Sequence, residues 1–206
     1  MNLLTRWLEN WAACGIVLSS ALETEYRVLT QAYGESHRCY HNLQHLVECF
    51  HHFDWAIGKT EKPEEIQLAI WYHDSIYDPH QSDNELRSAQ WAERSLKAFG
   101  VPASKIERII QMILATAGHH SVGDGDVQYM LDIDLAILGS SAVRFHQYES
   151  QIHEEYDWVP EIIYQAKRRA VLESFLAKDY IYGSRLFRER FEGQARKNIR
   201  NLLDQI

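Results

Sequence analysis

Residues 63 to 78 read PEEIQLAIWYHDSIYD, and this stretch decides the class of fold. Pro63 followed by Glu64 and Glu65 is the composition of a helix start. A first turn leaves its N–H groups unpaired, so a residue without one fits there, and acids oppose the positive end of the helix dipole. Ile66, Leu68, Ala69, Ile70 and Trp71 continue the segment as an apolar helix, with His73 and Asp74 near its C-terminal end.

The punctuation on either side is of the same kind. Ser82 with Glu85 fits a capping box, and Gly100 is a stop signal for that segment. Ser104 with Glu107 fits another, ahead of Ile106, Ile109, Ile110, Ile113 and Leu114 at helical spacing. Val127 to Leu138 reads as a helix ended by Gly139, and Ala142 to Tyr156, Glu161 to Leu176 and Ser184 to Leu203 complete the set. Upstream, MNLLTRWLENWAACGIVL reads as a first helix. No alternating run is bounded by hairpin turns, so strands are not expected. The expectation is an all-α helical bundle of about eight to ten helices. No repeat, low-complexity tract or Pro/Gly-rich linker divides residues 1–206, so one domain is expected.

Composition limits the functional classes. The 206 residues suffice for a substantial core, and 46% apolar with 24% charged residues is ordinary for a globular chain. No apolar stretch approaches the roughly 20 residues that span a bilayer. Trp11 to Leu18 resembles a short signal core, but Glu9 and Asn10 interrupt it and no clear cleavage site follows, so a cytoplasmic chain with no membrane partner is expected. The net charge of −8 argues against broad nucleic-acid binding. It leaves room for a small phosphorylated substrate, since a metal and a few local cations can reverse the field in one cleft. Local positive charge does occur at Lys167, Arg168, Arg169 and from Arg185 to Arg200. Cys14, Cys39 and Cys49 are odd in number and form no CxxC pair, so reduced thiols are expected rather than a disulfide scaffold or a Cys-rich zinc site.

Eleven histidines are the unusual feature, because imidazole is the commonest neutral metal ligand. They fall in telling places. RCYHNLQHLVECF, residues 38 to 50, holds His41 and His45 four apart, which a helix would set on one face. AIWYHDSIYD, residues 69 to 78, holds His73 and Asp74; adjacent helical residues point about 100° apart, so an ion shared by both must lie in the groove between them. TAGHHS, residues 116 to 121, places His119 and His120 just past a helix end. MLDIDLAILG, residues 130 to 139, sets Asp132 and Asp134 in an otherwise apolar helix. A buried carboxylate is costly without a cation or hydrogen-bond donors, so at least one of the two is expected to face inward toward such a partner. Two histidines and two carboxylates make a mixed nitrogen and oxygen site. That set suits Mn, Fe, Co, Ni, Mg or Zn better than a thiolate-selective metal.

The order His, His-Asp, Asp on successive helices resembles the HD-domain superfamily of metal-dependent phosphohydrolases. The runs YHNLQHL, WYHDSIYD, LDIDLAILG and ARKNIRNLL resemble more closely a bacterial family described as predicted metal-dependent hydrolases of that superfamily, over nearly the whole chain. The resemblance implies that His45, His73, Asp74 and Asp134 hold a divalent metal and that Asp74 also orients the metal-bound water. It implies hydrolysis of a phosphate ester or anhydride, with a nucleotide as the default small phosphorylated substrate. Leu135 stands where many members have arginine after the final aspartate, which leaves Asp132 and Asp134 in competition.

Further roles are open between functional and plain readings. His41 is a ligand of a second metal, a phosphate contact, or a helix-start histidine. His119, preferred over His120, and Asp132 are candidates for a second metal or for substrate. Asp78 is a general acid or base, or caps the turn before Pro79. Arg38, Lys167, Arg168 and Arg169 are phosphate contacts or a solvated basic face. His37, His51, His52, His146 and His153 read as surface residues, and Trp55, Trp71, Tyr72, Trp91 and Trp158 as core. Asp124-Gly125-Asp126 is too short for a calcium loop and lacks its closing glutamate. Two rival functions accompany the hydrolase: an oxygenase with a di-iron centre, which would need His41 or His119 and a second bridging carboxylate, and a metal-binding regulatory module without hydrolysis.

Overall fold

In the computed structural model, which describes residues 1–118 and 125–206, the regular elements are all helices. They are α1 (Leu3–Ala13), α2 (Ser20–Ala32), α3 (Leu43–Ala56), α4 (Pro63–Tyr72), α5 (Asn84–Ala98), α6 (Ala103–Ala115), α7 (Gly125–Asp134), α8 (Ala142–Glu155), α9 (Glu161–Leu176), α10 (Arg185–Phe187) and α11 (Gly193–Leu203). A π turn over Arg188–Glu192 joins the last two, so the described residues carry ten helices if that pair is taken as one. The all-α expectation is met. The described residues fall into two compact units, Met1–Leu131 and Asp132–Ile206.

In the first unit α4 is the hub. Pro63 opens it with Glu64 and Glu65 in the first turn, as its sequence requires. Ile66, Leu68, Ala69, Ile70, Trp71 and Tyr72 are fully buried, because α1, α3, α5 and α6 all pack against this helix. Burial of each large apolar side chain is worth about 1.5–3 kcal/mol. Trp71 meets Trp7 of α1 edge-on at 5.2 Å and Phe50 of α3 at 4.8 Å. The amide of Asn10 donates to the Glu64 carbonyl at 2.9 Å and so pins α1 to the start of α4. The carboxylate of Asp126 accepts from the backbone amides of Glu61 and Lys62, both at 2.9 Å, just before that helix.

Two expected capping boxes do not form. The Asn84 amide is engaged with Asp78, accepting from its N–H at 3.0 Å and donating to its carbonyl at 2.9 Å, and α5 starts at Asn84 rather than after Ser82. Pro102, with φ −59°, is the N-cap of α6, and its carbonyl accepts from Lys105 and Ile106, which places Ser104 inside the first turn. Two aromatic expectations also fail: Trp55 is 37% and Trp158 49% exposed. Trp91 is half-buried, with its indole N–H on Glu25 at 2.8 Å.

In the second unit, the helix expected through Leu138 tightens into a 3-10 turn over Leu135–Gly139. A Cβ at Gly139 would lie 2.6 Å from Phe191 Cβ and 2.9 Å from the Tyr182 hydroxyl, so only glycine permits this close approach. Asn198 of α11 donates from Nδ2 to the carbonyls of Leu138 and Ser140, both at 2.9 Å. The single helix expected over Ser184 to Leu203 is interrupted by the π turn, and Ser184 caps its start by accepting from the Phe187 amide at 3.3 Å. No helix among the described residues is long and apolar enough to cross a membrane.

Candidate metal centre

Helices α3 and α4 pack together and bring three ligand-type side chains to one point. His45 lies in the first turn of α3, whose start is fixed by Asn42 accepting from the Gln44 amide at 2.8 Å. His73 is the C-cap residue of α4, and Asp74 follows it. His45 and His73 are 2% and 1% exposed, and the Asp74 side chain 15%.

The donor atoms make a nearly equilateral triangle. His45 Nε2 lies 3.2 Å from His73 Nε2, His45 Nε2 lies 3.4 Å from Asp74 Oδ2, and His73 Nε2 lies 3.1 Å from Asp74 Oδ2. Donors bound at about 2.1 Å to one ion sit about 3.0 Å apart at right angles and about 3.4 Å apart at the tetrahedral angle. The three separations therefore fit a shared divalent cation. The tautomer fits as well. His73 Nδ1 is 2.9 Å from the Ile70 carbonyl, which only accepts, so Nδ1 carries a proton and Nε2 is the nitrogen turned toward the triangle. Burial would raise the Asp74 carboxyl, but the imidazole of His73, with His45 and then His41, holds it well below the usual carboxylate range. Asp74 thus stands as an anion facing two imidazoles.

Cys49 joins the histidines and was not expected. It lies one turn after His45 on α3, is 1% exposed, and sets Sγ 3.6 Å from His45 Nε2. His45, Cys49 and His73 each offer a donor atom within 4.8 Å of the others. The spacing His-x-x-x-Cys on one helix was the available sequence signal. A thiol here narrows the acceptable metals toward zinc, iron and cobalt.

His41 precedes the N-cap of α3, so no helical turn relates it to His45; its ring stacks on Tyr77 at 4.1 Å and meets His45 edge-on at 6.0 Å. Asp78 lies beyond the end of α4, and its Oδ1 accepts from the His80 amide at 2.9 Å, the capping geometry. In the second unit, Asp134 ends α7 and is half-buried. Asp132 is fully buried and accepts from the amides of Gly183 at 2.9 Å and Ser184 at 2.8 Å. Those two amides answer the buried charge that the sequence flagged. His119 and His120 lie outside the described residues.

The arginines expected to meet phosphate are held by protein groups. Arg38 is buried against Glu35 and three backbone carbonyls. Arg168 pairs with Glu149 and with the Tyr148 hydroxyl. Arg169 donates to the carbonyls of Leu203 and Ile206. An open cleft of about 730 Å³ in the first unit is walled by residues that include His37, Ser75, Ile76, Asp78, Arg87 and Trp91, and so borders the loop after Asp74. No protein-family model, curated protein or solved structure matches the chain.

Proposed function

We propose that this protein is a metal-dependent phosphohydrolase of the HD-domain type. The single observation that carries the reading is the triangle of His45 Nε2, His73 Nε2 and Asp74 Oδ2, with separations of 3.1 to 3.4 Å. His45, His73 and Asp74 would hold the ion, and the sequence resemblance adds Asp134 as the last ligand. A divalent ion supplies Lewis-acid polarisation of a phosphoryl oxygen and lowers the pKa of water. Asp74 turns Oδ2 toward the imidazoles, and its carboxylate would orient the attacking water. The cleft beside residues 75–80 has the size of a small-molecule site and would seat the body of the substrate. A nucleotide is the substrate class the resemblance suggests.

The test is metal analysis of the purified chain coupled to a phosphate-ester and anhydride panel with Mn, Co, Ni and Mg. Turnover with at least one metal, lost in Asp74→Ala, is expected. A metal-loaded protein silent across the panel would favour the binding module instead. One feature favours a second enzymatic reading: two histidines and one carboxylate on a common face are also the ligand set of non-haem Fe(II) oxygenases. Iron loading with oxygen consumption, and no phosphate release, would establish that alternative.

A further inference from the structure

We infer that Arg38 is a positioning residue for the metal centre, one guanidinium that fixes the backbone of both ligand-bearing segments at once; this rests on the metal-centre reading above. The Arg38 side chain is fully buried. Its Nη1 donates to the carbonyl of His41 at 3.2 Å and to that of Asp74 at 2.6 Å, and its Nη2 donates to that of Ser75 at 3.2 Å. Nε donates to Glu35 Oε2 at 3.0 Å. The first carbonyl belongs to the segment that leads into α3 and its His45. The other two belong to the segment that leaves α4 and carries Asp74 itself.

The chemistry of the contact suits that role. The C-terminal end of a helix leaves carbonyls unpaired and negative, and a cation there is favourable. Tyr33 takes one such carbonyl, donating its hydroxyl to Trp71 at 3.1 Å. Arg38 takes the carbonyls of Asp74 and Ser75, in the turn just past the His73 C-cap of α4. A bond to the Asp74 carbonyl fixes the plane of the 74–75 peptide, and with it the direction in which the Asp74 side chain leaves the backbone. The rings of Tyr33 and Tyr77 lie 5.3 and 5.6 Å from the guanidinium carbon and hem it in. The counter-ion Glu35 is 47% exposed, so the carbonyls, rather than a buried carboxylate, answer most of this charge. Lysine cannot replace the fork, because its ammonium is a point with tetrahedral donors and cannot span carbonyls on two segments.

The experiment uses Arg38→Lys and Arg38→Met in the full chain. Cobalt(II) is titrated into metal-free protein by calorimetry, with the visible cobalt spectrum and the metal-free melting curve as parallel readouts. The expected result is a 10- to 100-fold weaker cobalt affinity for Arg38→Lys, the range typical of groups that orient metal ligands. Arg38→Met falls further, and both variants show an altered cobalt absorption band while the metal-free protein remains folded. If folded variants bind cobalt with the affinity and spectrum of the parent, the inference is overturned. If cobalt binding is unchanged and only KM for a phosphate ester rises, Arg38 is a substrate contact and the inference is likewise overturned. If both variants lose the metal-free fold, Arg38 holds the fold and not the centre. If the parent chain binds no cobalt, manganese, zinc or iron, the metal-centre reading itself fails, a result separate from those on the variants.

Discussion

Asp74 and Asp132 are acids set in apolar sequence, and both are taken largely out of water, yet they meet different partners. In the second unit Asp132 accepts from the backbone amides of Gly183 and Ser184. In the first unit Asp74 faces two imidazole nitrogens at 3.1 and 3.4 Å. Two peptide N–H groups are fixed donors and pair the Asp132 oxygens without any ion. Two imidazole nitrogens converging on one oxygen of Asp74 make instead a set of ligand atoms that could share an ion. Asp126 repeats the Asp132 pattern in the first unit, on the amides of Glu61 and Lys62. An acid in an apolar run therefore signals that a donor exists; the kind of donor decides whether the place is a cap or a metal site.

The sharpest way to break this contrast is His73→Ala. Metal affinity should fall by more than about 100-fold, since a direct ligand outweighs the orienting groups, with the metal-free fold kept. Calorimetric titration reads the loss, and retention of the parent affinity would remove His73 from the centre. Arg168→Met comes next. Leaving Glu149 buried without its cation should cost about 3–5 kcal/mol in denaturant unfolding, with cobalt affinity unchanged. A variant of parental stability but raised KM for a phosphate ester would restore Arg168 to the phosphate-binding role its sequence suggests.

Asp132→Asn turns one carboxylate oxygen into a donor facing a donor. It should lower stability by about 2 kcal/mol and leave metal affinity alone; loss of metal without loss of stability would reverse the comparison. The smallest effect concerns the buried Cys14 thiol. Burial raises the Cys14 thiol from 9.0 to about 11, with Lys105 opposing the shift and Glu64 adding to it. Between those values the unfolded chain has lost this proton and the folded chain keeps it, so stability falls as pH rises through the window. The denaturant midpoint should drop less over that range in Cys14→Ala than in the parent.

The sequence carried the helices best where tertiary contacts agree with local chemistry. Pro63, Glu64 and Glu65 open α4 as they read, and the ion pairs of Glu64 with Lys105 at 3.2 Å and of Glu65 with Arg108 at 2.6 Å are made without displacing them from the helix start. Ser82 and Ser104 failed as caps because Asn84 is engaged with Asp78 and Pro102 starts α6. These are preferences of neighbours that a capping pattern does not weigh. In the site, the juxtaposition of His45, His73 and Asp74 was legible from the order of histidine-bearing segments that carries the sequence resemblance, not from spacing along one helix. Cys49 was missed because its pairing with His45 is a one-turn relation across a residue type judged by disulfide and CxxC patterns alone. Asp132 looked like a ligand candidate because its amide donors come from a loop some fifty residues later. Arg38 read as a phosphate contact because the sequence does not reveal that its guanidinium is buried among backbone carbonyls.

Anomalous diffraction from crystals grown with manganese or cobalt tests the central claim most directly. A single strong peak is predicted about 2.0–2.3 Å from each of His45 Nε2, His73 Nε2 and Asp74 Oδ2, with Asp132 still on the amides of Gly183 and Ser184. A map with no peak inside that triangle, at metal concentrations that saturate any binding measured in solution, would contradict it.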